Sequence, residues 1–123
     1  MTKVMFDTNF LIDLVRFRID IQDVKTMIGR SEFYTVDTVI RELEGISTKK
    51  SKSGRNARIA LKIIELNNIK VIKSREKSAD EAILKLAKRG MAVATNDIEL
   101  KKSLIKQNTK VIYLRSKKHL ELR

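Results

Sequence analysis

The stretch that decides the fold reads Lys3-Val4-Met5-Phe6-Asp7-Thr8-Asn9, an apolar run that ends in a carboxylate, a hydroxyl and an amide. Residues 4–6 are predicted to form a buried parallel strand, with Asp7 at its C-terminal edge. In open α/β sheets, ligands bind in the crevice outside the carboxyl ends of the strands. Residues 91–97 read Met-Ala-Val-Ala-Thr-Asn-Asp and repeat the same arrangement. Two strand-end acids in one chain suggest a shared metal site.

The rest of the chain alternates predicted strands with predicted helices. Apolar and β-branched runs predict further strands at residues 33–36, 69–72 and 111–114. Helices are predicted at residues 9–17, 19–28, 37–46, 57–66, 78–89 and 97–107. Asp37 or Thr38 can cap the third of these helices. The alternation predicts an α/β fold, a three-layer α/β/α sandwich with a mainly parallel sheet of about five strands. At 123 residues, we expect the chain to form a single domain over residues 1–123.

Lysine and arginine exceed the acidic residues by 27 to 15, which gives a net charge of +12. Such an excess attracts polyanions, and nucleic acid is the first candidate partner. Adaptation to heat would explain many charges but not the imbalance of sign. Acidic membrane lipid is a weaker alternative, because no helix combines a clean apolar face with a dense basic one.

Two segments concentrate the basic residues. Residues 47–56 contain no apolar side chain and are predicted to form a mobile basic loop. Its cations are Lys49, Lys50, Lys52 and Arg55. They can contact RNA, or they can belong to a solvated connector that binds nothing. Residues 115–123 are predicted to form a basic tail.

The composition excludes several kinds of site. The chain has no cysteine, so disulfides and thiolate metal sites are excluded, and this fits a reducing compartment. The single histidine, His119, cannot build a histidine cluster. No apolar segment approaches the length of a membrane span, and the N-terminus lacks the features of a signal peptide. We therefore expect a soluble, cytoplasmic protein with no membrane partner.

Helical projection separates acids on polar faces from acids within apolar arcs, where an unpaired charge is costly to bury. Asp80 falls within the apolar arc of its helix, and the alternative is that it caps that helix or interacts with its N-terminal dipole. Asp97 falls within the arc of the next helix, where Asn96 or Asp97 can also be the N-cap, whereas Glu99 points the opposite way. Glu42 and Glu44 lie at the two margins of one apolar stripe, and spacing alone does not choose between them.

With these residues in order, the chain resembles the PIN-domain ribonucleases over nearly its whole length, from Val-Met-Phe-Asp-Thr-Asn to the closing Val-Ile-Tyr-Leu. The resemblance implies four catalytic and metal-binding acids: Asp7, Glu42, Asp80 and Asp97. It selects Glu42 over Glu44 because the second acid of the family follows the pattern around Arg41-Glu42-Leu43. The supporting polar residues that it implies are Asn9, Thr95 and Asn96. Some PIN proteins carry a further acid where this chain has Glu99.

The resemblance also implies a function, a metal-dependent endoribonuclease that hydrolyses RNA phosphodiester bonds to leave a 5′-phosphate and a 3′-hydroxyl. Carboxylate ligands favour Mg²⁺ or Mn²⁺ over zinc. Asp7 and Asp97 are expected as central ligands, with Glu42 and Asp80 completing the cluster directly or through water. Within the family, the chain is similar to the toxins of VapC-like toxin–antitoxin pairs and to small archaeal rRNA-processing PIN proteins. Besides RNA, the candidate partners are an antitoxin protein and a second copy of the chain.

Three other classes of protein fit the sequence less well. Haloacid-dehalogenase phosphatases use a second Asp two residues after the first, and Asn9 in that position cannot transfer a proton. Response-regulator receivers need an adjacent acidic pair after an early strand, which the chain lacks. The non-enzymatic alternative is a basic RNA-binding module on a PIN scaffold, and the presence of all four acids argues against it.

Overall fold

The computed structural model of the chain describes residues 1–116 and 119–123. Its elements in chain order are β1 Thr2–Phe6, α1 Thr8–Arg16, α2 Gln22–Ile28, β2 Ser31–Val36, α3 Asp37–Ser47, α4 Lys52–Leu66, β3 Lys70–Ile72, α5 Ala79–Ala87, β4 Ala92–Ala94, α6 Ile98–Lys106, β5 Val111–Arg115 and β6 His119–Leu122. Each predicted strand and helix is present, and the predicted α/β class is confirmed. Within the described residues, no helix has the length and apolar character needed to cross a membrane.

The strands form a six-stranded sheet in the order β3-β2-β1-β4-β5-β6. The first five strands are parallel, and β6 is antiparallel to β5. Helices α1, α3 and α4 pack against one another, and α5 packs against α6. The chain runs outward from β1 through β2 to β3, and then crosses back over the sheet to β4 and β5. Right-handed crossovers in these two opposite directions place the two helix groups on opposite faces of the sheet. The strand order reverses between β1 and β4, and this switch point is where open α/β sheets form a ligand crevice.

Strand β1 lies at the centre of the sheet and is buried on both faces. Val4, Met5 and Phe6 have no exposed surface, as predicted from the continuous apolar run. The Phe6 ring packs against Phe33 with centroids 4.9 Å apart and against Phe10 at 5.8 Å. This aromatic packing fixes the end of β1, so the residue that follows has a defined position.

The segment predicted as a loop at 47–56 is shorter than expected, because α4 begins at Lys52. Ser51 caps this helix, since its Oγ accepts a hydrogen bond from Gly54 N at 3.3 Å. Arg58 donates to the carbonyl oxygens of Ser47 at 2.6 Å and Lys49 at 3.3 Å. The connection between α3 and α4 is thus a short turn, closed by side-chain contacts that the composition of the segment did not indicate.

The predicted tail at 115–123 contains a strand that the sequence did not predict. Tyr113 pairs with Glu121 and Arg115 with His119 in the antiparallel β5–β6 ladder. Residues 117 and 118 of this tail lie outside the described residues. The sheet therefore has six strands where about five were expected.

Candidate active site

Asp7 lies at the carboxyl end of β1, at the switch point of the sheet, and is only 3% exposed. Its Oδ1 accepts a hydrogen bond from Thr8 N at 2.8 Å, which caps α1. The hydroxyl of Thr95, the residue after β4, donates to Asp7 Oδ2 at 2.7 Å. The predicted convergence of the two strand ends is therefore seen as a direct hydrogen bond.

Burial raises the pKa of Asp7 to about 6, although the hydrogen bonds from Thr95 and Thr8 act in the opposite direction. The nearby carboxylates of Asp80 and Glu42 raise the pKa further. A buried acid surrounded by other acids is costly to ionise, and a bound cation would reverse this cost.

Glu42 lies on α3, and its side chain is held by Thr8, which was not among the predicted site residues. The hydroxyl of Thr8 donates to Glu42 Oε2 at 3.1 Å. Thr8 therefore contacts both acids, through its backbone N–H to Asp7 and through its side chain to Glu42. Because 34 residues separate Thr8 from Glu42, no local spacing could have indicated this contact.

Asp80 lies in the first turn of α5, and its side chain is exposed. Its predicted burial within the apolar arc is wrong, because Ala79, Ala82 and Ile83 form the buried side of this turn. The first turn of α5 is therefore covered on one side only, and Asp80 lies on the uncovered side. Capping by Asp80 is excluded, since Ser78 is the N-cap and its Oγ accepts from the N–H of Glu81. The other alternative, interaction with the helix dipole, fits the position of Asp80 in the first turn. Protein atoms around the Asp80 carboxyl still raise its pKa by desolvation, and Asp97 raises it further.

Asp97 is the N-cap of α6, so the predicted capping role is confirmed. Its Oδ1 accepts from Glu99 N at 2.9 Å and Leu100 N at 3.1 Å. Its own N–H donates to the hydroxyl oxygen of Thr95 at 3.1 Å. The side chain of Glu99 is 87% exposed and lies 3.9 Å from Lys102 Nζ. The structure therefore places Glu99 on the solvent side of α6, in the direction that its projection predicted.

Asn9 and Asn96 fix the turn that carries Asp97. Asn9 Oδ1 accepts from Asn96 N at 3.1 Å, and Asn96 Oδ1 accepts from Leu114 N at 2.8 Å. Asn96 Nδ2 donates to Asp13 Oδ2 at 2.9 Å. These bonds join α1, the end of β4 and β5, so the two predicted supporting amides hold the elements of the site together.

The four predicted acids interact electrostatically. The charges of Asp80 and Glu42 raise the pKa of Asp7, and the charge of Asp97 raises the pKa of Asp80. In the part of the chain that the structure describes, none of these four carboxylates forms a salt bridge. Their oxygen donors fit a hard divalent cation. Over the same described residues, no three acidic or histidine side chains are grouped so that they could together hold a metal ion.

The four predicted RNA-contacting cations are all exposed. Lys49 and Lys50 lie in the turn between α3 and α4, and Lys52 and Arg55 lie in the first turns of α4. No salt bridge among residues 1–116 and 119–123 involves them. This surface, the α3–α4 tip, therefore carries four uncompensated positive charges.

Comparison with known proteins agrees with this geometry. Residues 4–117 match the family model described as a PIN like domain. Ribonuclease VapC4 of Methanocaldococcus jannaschii is 32% identical over 127 residues, covering 99% of this chain and 97% of that relative. The structure of the PIN domain endonuclease Utp24 matches with a TM-score of 0.81 and 25% identity, over 98% of this chain and 90% of the other. A domain of a functionally unknown Methanocaldococcus jannaschii protein matches in fold, with a TM-score of 0.65 and 20% identity over 94% and 93% of the two chains. The chain therefore belongs to the PIN-like domain family, as the order of its acids indicated.

Proposed function

We propose that this protein is a metal-dependent endoribonuclease that hydrolyses RNA phosphodiester bonds. The observation that carries the proposal is the buried carboxylate of Asp7, which two further acids approach and no cation neutralises among the described residues. The names of the relatives, a ribonuclease and an endonuclease, support the same activity. The net charge of +12 favours a polyanionic substrate.

The metal in this proposal is Mg²⁺ or Mn²⁺, with Asp7 and Asp97 as its central ligands. Glu42 and Asp80 complete the shell directly or through water. The described acids are not grouped closely enough to hold an ion as they stand, so in this proposal the ion draws their carboxylates together. Thr8 and Thr95 hold Asp7 in one orientation, and the Asp97 cap leaves its second carboxylate oxygen available to an ion. When bound, such an ion supplies positive charge to a phosphodiester, the attacking water and the leaving oxygen.

The biological role in this proposal is that of a VapC-like toxin or of an rRNA-processing nuclease. The toxin role requires an antitoxin partner, and either role is compatible with a homodimer. The α3–α4 tip contacts the RNA backbone in this proposal, through Lys49, Lys50, Lys52 and Arg55. A small DNA-binding protein encoded beside this chain would support the toxin role, and its absence would favour RNA processing.

The activity is tested by incubating the purified chain with a broad panel of RNAs in EDTA, and then with Mg²⁺ or Mn²⁺. We expect cleavage only in the presence of the divalent ion, because the acids repel one another and the phosphate without it. End-group analysis should find 5′-phosphates and 3′-hydroxyls. RNA binding without cleavage across the panel would contradict the proposal and favour a non-catalytic RNA-binding module.

A further inference from the structure

A groove lies between the turn that follows β3 and helix α5. Its apolar floor is formed by Ile72, Ala82 and Leu86. Its rim carries four cations, Lys73, Arg75, Lys85 and Arg89. Lys85 pairs with Glu76 at 3.0 Å. The other three cations are exposed and have no acidic partner within the described ranges. The groove therefore combines an apolar floor with three uncompensated positive charges.

The turn beside this groove is fixed by Asp37, the residue that follows β2. Asp37 Oδ1 accepts a hydrogen bond from Ser74 N at 3.2 Å, and Ser74 Oγ accepts from Glu76 N at 3.0 Å. Ser74 is flanked by Lys73 and Arg75, so the backbone that carries both cations is held in place before any ligand binds. A binding site that is already ordered loses less conformational entropy when the ligand arrives.

We infer that this groove binds the RNA strand on one side of the scissile bond, with its cations on the phosphates. Three cations that line one groove and have no acidic partner in the described chain attract a polyanion. The aliphatic floor can remove part of the apolar surface of bases or riboses from water. Strand β3 lies two strands from β1, and thus about 10 Å from it across the sheet. One RNA strand can therefore reach both Asp7 and the groove. The inference rests on the proposed function for the position of the scissile bond.

The first test measures RNA binding in the triple variant Lys73→Gln, Arg75→Gln and Arg89→Gln. A fluorescein-labelled single-stranded RNA of about 20 nucleotides is titrated in EDTA, with Asp7→Asn present in every protein so that the RNA stays intact. The matched control removes three other exposed charges, by Arg30→Gln, Lys62→Gln and Lys110→Gln. We expect the groove variant to bind about 10- to 100-fold more weakly at 0.1 M salt, with a salt slope smaller by about 2. The control should change both quantities much less.

Equal weakening by the groove variant and the control would overturn the inference, because net charge alone would then explain binding. Unchanged binding by the groove variant would overturn it as well. Thermal unfolding should be the same for the groove and control proteins, since all six side chains are exposed and unpaired in the described chain. This binding test does not depend on cleavage, so a chain that binds through the groove but never cuts RNA would contradict the proposed function alone.

The second test compares Asp37→Asn with Asp37→Ala. Both variants remove one negative charge, which by itself strengthens RNA binding. Only the alanine variant removes the oxygen that accepts from Ser74 N, and with it the hydrogen bond from Thr38 N to the same oxygen. We therefore expect Asp37→Ala to bind the RNA at least about 3-fold more weakly than Asp37→Asn, because the cationic turn loses its anchor. Equal binding by the two variants would overturn the role of Asp37 in ordering the groove.

Discussion

The Asp7→Asn variant is expected to cleave RNA at least about 100-fold more slowly than the wild-type chain, because it removes a central ligand from the metal site. The change is nearly isosteric, so loss of activity would not reflect loss of the fold. An asparagine oxygen can still accept from Thr8 N, and the Thr95 hydroxyl can turn toward Asn9 Oδ1, 3.5 Å away. Initial rates of RNA cleavage in Mg²⁺ or Mn²⁺ measure the effect.

The same variant is expected to be more stable than the wild type at pH 7. The pKa of Asp7 rises from 3.8 to about 6 on folding. Between these two values the folded chain holds a proton that the unfolded chain has released, so stability falls as the pH rises through this window. Above pH 6 the cost levels off at about 3 kcal/mol. Asparagine carries no charge, so Asp7→Asn should recover up to about this amount at pH 7 and almost none at pH 4.

Urea denaturation in EDTA, from pH 4 to pH 7, measures the free energy of unfolding of both proteins. Because the other acids titrate in both proteins, their contribution cancels in the difference. Glu99→Gln is the matched control, since it also removes one carboxylate charge but from the exposed side of α6. It should leave both cleavage and stability nearly unchanged. Undiminished cleavage by Asp7→Asn would refute its assignment as a ligand, and a less stable Asp7→Asn protein at pH 7 would refute the charge penalty.

The order of elements could be predicted because most strands and helices show their buried side as a local pattern of apolar residues in the sequence. Strand β1 and its closing acid, Asp7, are specified within a few residues of sequence. Strand β6 is different, because its short segment is stabilised mainly by the β5 ladder beside it. Such pairing depends on a neighbour in space, which propensity does not report.

The site divides in the same way. The positions of Asp7 and Asp97 just after β1 and β4 could be predicted from the sequence, whereas the contact of Thr8 with Glu42 could not. The position of Asp80 was misjudged for another reason. Helical projection assumes that the whole apolar arc is covered, but Asp80 is exposed although Ala79, Ala82 and Ile83 beside it are buried. The projection gives the angular position of Asp80 on α5, but not how much of that side other elements cover.

Gly54→Ala is expected to destabilise the protein by about 3 kcal/mol, although alanine normally stabilises a helix relative to glycine. Gly54 is buried in the first turn of α4, where an added Cβ would overlap the carbonyl oxygen of Lys49 and lie 3.2 Å from that of Ile46. Both contacts are to backbone atoms, so no side-chain rotation can relieve them. Either α4 must move away from the preceding turn, or its first turn must unwind.

Gly45→Ala is the matched control, because a Cβ at this position in α3 meets nothing within 4 Å. It should raise the free energy of unfolding by about 0.5–1 kcal/mol, so the two glycines are predicted to respond with opposite signs. Urea denaturation measures both changes, and a stabilised Gly54→Ala protein would contradict the close approach of α4 to Lys49. The clash also acts on the cations of the α3–α4 tip, since Gly54 lies between Lys52 and Arg55. If this tip contacts RNA as proposed, Gly54→Ala should weaken RNA binding even at temperatures where the chain stays folded, whereas Gly45→Ala should not.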